Sequence, residues 1–413
     1  MMDSEQRLLP QIVGHQLFGG KKPEPEAADP EALLREARLQ TVYLSVFPFL
    51  GESLKRSDAQ SYEKHQQLFW GSVMTNTNNF MEHDELHRLM TDNGIRYCAL
   101  KGIASAYYYP EPSLREMGDV DFLIAEADFE RAKSAVLGAG FEVDHGESAD
   151  SLHIAFKREP SSIWEQHRSL NGIPEGAVGD LIKEEIGRVI DTAEPVTVDG
   201  ATCLIPDTFH HGLILLLHMA SHLTSEGIGL RHLCDWAVFA DSMESDAFAA
   251  LFEAKLKRFG LWRFAQMMTL ASERFLGSAP RGWARNDSVT DEQLEEIMTD
   301  ILNGGNFGKK DLNRYREIKY ISNRGERTVD RKSVLAQAFC TLNRKVFDDY
   351  PRIAARKAFL PVGWFAEGVK YVGLLITGKR KTKGTSSMLR EASRRKSIYS
   401  RMELFRSQGS DST

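Results

Sequence analysis

Two aspartates separated by one residue, Asp119 and Asp121, open the alternating apolar stretch Asp119–Ile124 (DVDFLI). No other feature restricts the fold of this chain as tightly. Alternation at that period is the pattern of a strand, and residues two apart on a strand share a face. The two carboxylates must therefore stand side by side, with Val120 and Phe122 turned into a core. Like charges held that close repel, and burial raises the cost. A fold keeps such a pair where cations compensate, and oxygen-coordinated divalent ions are the natural candidates. Gly118, just before the first acid, lets a ligand approach the backbone.

The sequence on either side of this strand sets the layout. Residues 1–29 read as a flexible lead-in, because Gly19–Asp29 (GGKKPEPEAAD) is rich in glycine, proline and charge. Asp29-Pro30 opens a helical segment over 30–94. Its apolar positions include Leu33, Leu34, Leu39, Val42, Tyr43, Val46 and Phe47, and Asn93-Gly94 is its stop signal. Residues 95–205 change texture. Arg96–Leu100 predicts a strand, Gly102–Tyr109 a short helix, Pro110–Gly118 a loop and Ala127–Gly138 a helix. Phe141–Val143, His153–Lys157 and Ile163–His167 predict three further strands. Asp180–Asp191 predicts a helix, and Val196–Ile205 a hairpin around Asp199-Gly200. Residues 206–378 are mostly helical in pattern, most clearly at Phe209–Leu223, Leu230–Ala240, Ala247–Phe259 and Trp262–Phe275. The expected fold class is α+β: a small mixed sheet, an N-terminal helical segment before it and a larger helical region after it.

Composition narrows the function classes. No apolar run approaches the roughly 18 residues that span a bilayer, and Met1–Pro10 lacks the basic start and apolar stretch of a signal peptide. A cytoplasmic protein without a membrane partner is expected. Cys98, Cys203, Cys234 and Cys340 are too scattered for a disulfide framework or a metal knuckle. A formal net charge of −6 argues against a nucleic-acid-coating protein. The basic tail, 379–413, keeps a nucleic-acid partner open. It carries Arg380, Lys381, Lys383, Arg390, Arg394, Arg395, Lys396, Arg401 and Arg406. It reads either as a solvated end or as a clamp for phosphate or an acidic partner.

Other residues extend the acidic pair into a candidate site. Glu165 lies in the predicted strand Ile163–His167, and a third carboxylate from a neighbouring strand would complete a site for two Mg²⁺ or Mn²⁺ ions. Upstream, Leu100-Lys101-Gly102 joins a strand to a helix, where backbone N–H groups attract phosphate oxygens. Lys101 adds a positive charge, Ser105 lies about one turn further on, and Arg115 has the forked donor geometry that suits a phosphate.

Leu100-Lys101-Gly102, the run YYYPEPSLREMGDVDFLI over 107–124, and WEQHRSL over 164–170 together resemble the uncharacterised nucleotidyltransferase family of the DNA polymerase β-like nucleotidyltransferase superfamily. The resemblance covers roughly residues 95–240 and is most specific over 100–124. It implies metal binding by Asp119, Asp121 and Glu165, and triphosphate contact near Lys101, Gly102 and Ser105. His218, His222, Arg231 and Asp235 (HMASH…GLRHLCDW) look like the helical segment that follows the catalytic sheet in that family. His218 and His222 share a helix face, and helix packing or substrate contact is preferred over zinc. Arg231 and Asp235, also four apart, are expected to form a structural ion pair rather than to contact nucleotide. Lys101-Gly102-Ile103 stands where the superfamily usually shows Gly-Ser. Either Lys101 and Ser105 compensate for the missing hydroxyl or triphosphate binding is weaker.

The expected activity is metal-dependent transfer of a nucleoside monophosphate from a nucleoside triphosphate to an acceptor hydroxyl or phosphate, releasing pyrophosphate. The alternatives are a catalytically silent nucleotide-binding module and an interaction protein built on the helical regions and tail. The acceptor, small molecule or macromolecule, is not encoded in any motif.

Overall fold

The computed structural model describes residues 4–24, 28–144, 152–308 and 385–406, together with Met2, Lys310, Val346 and 361–365. A helix, α1 (Ser4–Phe18), occupies much of the expected flexible lead-in and corrects the expectation for that part of residues 1–29. Leu9, Ile12 and Val13 recur at helical spacing and are fully buried. Gly14 lets α1 cross α11 (Trp262–Leu276) closely, since a Cβ there would stand 1.9 Å from the Leu276 carbonyl oxygen. The stripe is only about three turns long, and what it packs against lies far along the chain.

The predicted helical segment 30–94 forms three helices, α2 (Pro30–Gln40), α3 (Tyr43–Ser57) and α4 (Ala59–Asp92). Asp29 caps α2 by accepting the Glu31 N–H, with Pro30 in the first turn, and Thr41 ends the helix at φ +55°. Asp58 caps α4 by accepting the Ser61 N–H. The predicted stop holds, with Asn93 at the cap and Gly94 at φ +61°.

The mixed sheet follows as expected. Its strands are β1 (Tyr97–Ala99), β2 (Asp119–Ile124), β3 (Glu142–Val143), β4 (His153–Lys157) and β5 (Ile163–His167), in the order β1-β2-β5-β4-β3. Only β2 and β5 run parallel. Two helices interrupt it, α5 (Gly102–Ala106) and α6 (Phe129–Gly138). Alternation sends Tyr97, Ala99, Val120, Phe122, Phe156 and Trp164 into one apolar core, which α4 and α6 close with Phe80, Leu86, Phe129 and Val136. The opposite face sends Cys98, Leu100 and Leu123 into the larger helical core. Its polar end carries the acids.

Beyond the sheet lie α7 (Ala177–Ile186) and the hairpin β6 (Glu194–Val198) and β7 (Ala201–Ile205). Asp199 at φ +49° and Gly200 at φ +84° make the turn that the Asp-Gly pair predicts. Four helices match the expected ones, α8 (Thr208–Leu223), α9 (Leu230–Asp241), α10 (Ser245–Phe259) and α11, followed by α12 (Asp291–Gly304). No helix among the described residues is long and apolar enough to cross a membrane. Cys98, Cys203 and Cys234 are buried free thiols.

Much of the described part of the basic tail is packed against the protein rather than solvated. It contains α13 (Thr385–Ser400) and packs Ile398, Tyr399, Met402 and Leu404 into the core. Three of its arginines, Arg394, Arg395 and Arg401, meet acids of this same chain. Arg395 and the Tyr399 hydroxyl donate to buried Asp300 at 3.2 and 2.8 Å, and Arg401 donates to Glu296 at 2.7 Å. The remainder of the tail, Cys340, and residues 311–378 of the expected helical region, apart from Val346 and 361–365, lie outside the described residues.

Candidate active site

Strand register builds the site. Asp121 sits opposite Glu165 across the parallel β2–β5 pair, and Leu123 sits opposite His167. On the other side of β5, Ala155 sits opposite Glu165 and His153 opposite His167. Partnered residues share a face, so Asp119, Asp121, Glu165, His167 and His153 all project from one side of the sheet. Single donor atoms of Asp121, Glu165 and His167 lie within 4.8 Å of one another. The three carboxylates are thus on one face, with Asp119 at the solvent-accessible lip and Asp121 buried. His167 belongs to this group and was not singled out in the sequence. The same two-residue rule that pairs Asp119 with Asp121 pairs Glu165 with His167.

Charge within the cluster is strongly polarised. Burial works to raise the Asp121 pKa, but the Lys101 ammonium and the His167 hydrogen bond overcome it and hold the group well below the usual carboxylate range. Lys101 Nζ donates to Asp121 Oδ1 at 2.8 Å, and His167 Nε2 lies 2.7 Å from the same oxygen. Asp119 moves the other way, to about 6, first through the negative charge of Asp121 and then through lost hydration. The Asp119–Asp121 repulsion inferred from the sequence is therefore present, and a cation beside the pair would relieve it. A donor set of two carboxylates with a third at the lip fits a hard divalent ion.

Lys101 occupies the turn between β1 and α5 at φ +48°, ψ −103°. For a residue with a side chain such a backbone costs on the order of 1–3 kcal/mol. The turn aims Nζ at the acids and leaves Gly102 beside them. A Cβ at Gly102 would find Met117 Sδ at 3.5 Å and the Asp119 carbonyl at 3.8 Å, which are ordinary contacts. Packing does not require glycine there. Ser105 is buried, and its Oγ has no hydrogen-bond partner among the described residues.

Arg115 departs from expectation. Its Nε and Nη2 donate to Asp235 at 3.1 and 2.9 Å, and its Nη1 to the Glu116 carbonyl, so the fork is engaged by the protein rather than turned out for a phosphate. This also corrects the expected Arg231–Asp235 pair. Asp235 binds Arg115 and accepts the Tyr109 hydroxyl at 2.8 Å, while Arg231 donates to the Glu116 carbonyl at 3.1 Å. Arg115 and Asp235 are both buried, where a planar fork matches a carboxylate better than the helix-surface spacing of Arg231 does.

Helix α4 holds both acid-bearing strands in place through residues that carry no motif. Asn76 donates to the Ser113 carbonyl and accepts the Met117 N–H, fixing the loop ahead of β2. Asn79 donates to the Asp119 carbonyl at 3.1 Å. The Glu82 carboxylate accepts the Ser162 N–H at 3.0 Å and the Trp164 indole N–H at 3.0 Å, anchoring the start of β5. His218 and His222 of α8 pack with His232 of α9, with ring centroids 4.4–5.9 Å apart. Among the described residues the donors at metal-ligand spacing are Asp121, Glu165 and His167, not this histidine group. The rings also meet polar partners, His222 Nδ1 lying 3.7 Å from Glu226 and His232 Nδ1 accepting the Gly229 N–H.

The same class of protein emerges from comparison with known families. The model of the uncharacterised nucleotidyltransferase family matches residues 26–277, more than half of the chain, and the chain belongs to that family. The match takes in α2–α4 and α8–α11, well beyond the stretch that carries the resemblance in the sequence. No curated protein matches the chain. Among solved structures, the crystal structure of an antigenic nucleotidyltransferase-like protein from Paracoccidioides brasiliensis is 14% identical. The match covers 50% of this chain and 94% of that one, with a TM-score of 0.32, too distant a likeness to carry a functional conclusion.

Proposed function

We propose that the protein transfers a nucleoside monophosphate from a nucleoside triphosphate to an acceptor hydroxyl or phosphate, in a reaction that requires two divalent ions, Mg²⁺ or Mn²⁺. The observation that carries this reading is the register that sets Asp121 opposite Glu165, on the face that also bears Asp119 and next to the Lys101-Gly102 turn. Membership of a nucleotidyltransferase family supports nucleotidyl transfer in general.

Asp119 and Asp121 would hold both ions, and Glu165 the one beside the acceptor. Bound there, the ions supply Lewis-acid stabilisation of the phosphates and lower the pKa of the attacking hydroxyl. Lys101 and the Gly102 backbone hold the β- and γ-phosphates, and Ser105 supports that turn. The acceptor oxygen gives its proton to Glu165 or to solvent and forms a bond to the α-phosphorus as the bond to the pyrophosphate oxygen breaks. The protein contributes positioning and charge, which account for most of the catalysis in such transfers. Lys101 has a further part. It offsets the Asp121 charge before substrate arrives and can exchange that contact for a phosphate.

One observation favours a second reading. Asp121 is already satisfied by Lys101 and His167, as it would be in a module that binds nucleotide without turnover, or in an interaction protein. Metal-dependent pyrophosphate release from a mixture of nucleoside triphosphates and candidate acceptors separates the readings. Equal release by wild type and by Asp119→Asn/Asp121→Asn would end the enzymatic one.

A further inference from the structure

His167 has an environment that a structural core residue does not need. It stands on β5 two residues after Glu165, almost fully buried, with Nε2 turned toward two carboxylates, 2.7 Å from Asp121 and 3.4 Å from Glu165. Its Nδ1 has no hydrogen-bond partner among the described residues, so polar contacts orient the ring from the Nε2 side alone. The face of the ring packs on His153, with centroids 4.9 Å apart. One edge of the imidazole therefore points into the acidic cluster, and neighbouring side chains hold the rest.

Donor atoms around one ion with bonds of about 2.0–2.2 Å lie no more than about 4.4 Å apart. The donor atoms of Asp121, Glu165 and His167 all lie within 4.8 Å of one another, so modest side-chain movement brings the three around one ion. Imidazole nitrogen suits first-row transition metals, whereas Mg²⁺ prefers an all-oxygen shell. We propose that His167 Nε2 is a metal ligand, so that the ion position it shares with Asp121 and Glu165 takes a transition-metal dication such as Mn²⁺ in preference to Mg²⁺. This deepens the metal-dependent reading above, narrows its choice of ion, and adds a nitrogen to the three carboxylates. As the ion arrives, the Lys101 ammonium leaves Asp121 and the proton between His167 Nε2 and Asp121 is released to solvent, the neutral imidazole keeping its N–H at Nδ1.

The test is pulsed electron paramagnetic resonance on untagged full-length protein loaded with one Mn²⁺ per chain in a nitrogen-free buffer. Modulation from a directly bound ¹⁴N is expected in the wild type and lost in His167→Gln. Mg²⁺ titrated against bound Mn²⁺ is expected to compete at least ~10-fold better in His167→Gln than in the wild type. A wild-type spectrum with Mn²⁺ bound and no nitrogen modulation overturns the assignment, whatever the variant does. Nitrogen modulation without any nucleotidyl transfer would remove the proposed function and leave the ligand in place. Mg²⁺-supported transfer with nitrogen-free Mn²⁺ spectra would do the reverse.

Discussion

Arg115 and Asp235, 120 residues apart in the chain, form a buried bidentate ion pair that ties the loop before β2 to helix α9. Removing one partner of such a pair leaves an uncompensated buried charge, at roughly 3–5 kcal/mol. Arg115→Met is expected to lower the unfolding free energy by about that amount, and Arg115→Met/Asp235→Leu to recover much of it. Urea unfolding of the two variants and the wild type checks both. An Arg115→Met protein of unchanged stability with weakened triphosphate binding would instead make the fork a ligand group.

Glu82 is the next test of how the site is held. Its carboxylate accepts the Ser162 N–H and the Trp164 indole N–H, and each donor left unpaired costs about 1–3 kcal/mol. Glu82→Ala is expected to destabilise the chain by on the order of 2–4 kcal/mol and to weaken Mn²⁺ binding, because β5 carries Glu165. Chemical denaturation and calorimetric Mn²⁺ titration measure the two effects. Intact Mn²⁺ affinity in a destabilised Glu82→Ala protein would show that α4 supports the fold but not the site.

Gly102 separates packing from ligand contact. The fold has room for a methyl there, so Gly102→Ala is expected to change stability by no more than about 0.5 kcal/mol. The same methyl crowds the backbone N–H proposed to meet the triphosphate, and KM for the nucleotide is expected to rise several-fold. Thermal melts and steady-state pyrophosphate release give the comparison, and an unchanged KM would remove Gly102 from the binding turn.

Acid stability has a specific source in α8. His211 is buried between Tyr108 and Phe239, and neither ring nitrogen has a hydrogen-bond partner among the described residues. Burial pushes its pKa down to about 3, against the opposing charge of Asp235. In the unfolded chain the group takes a proton near its ordinary value of about 6.5. Between those values the unfolded state binds more protons. The stability contributed by neutral His211 is therefore complete above about pH 6.5 and is lost as pH falls, by up to about 1.4 kcal/mol per pH unit. His83, pushed down to about 4 by burial, acts in the same direction. Urea midpoints followed between about pH 4 and 7 should fall less steeply for His211→Leu than for the wild type, and parallel curves would refute the account.

Much of the sheet was legible in the sequence because strand alternation is local. Asp119–Ile124, His153–Lys157 and Ile163–His167 are strands with the boundaries the pattern predicts. Asp199-Gly200 is a hairpin turn because only a few residues tolerate left-handed backbone at both positions. His167 was legible in principle, two residues beyond Glu165 on the same predicted strand. Its chemistry depends on Asp121 and His153, which the fold, not the local pattern, sets beside it.

Local pattern determined which residues share a face of a strand or helix, and hence that Asp119 and Asp121 stand together. Which elements meet was decided only by tertiary structure. Strand register set Glu165 against Asp121, and α4 supplied Asn76, Asn79 and Glu82 as anchors without any motif. Asp235 went to Arg115 rather than to Arg231, α1 went into the core against α11, and Arg395 of α13 and Arg401 just after it went to Asp300 and Glu296 of α12. The physical reason is the same in each case. Periodicity and turn chemistry act over a few residues, whereas the partner of a buried charge or an apolar stripe is chosen by whichever distant segment satisfies it once water is excluded.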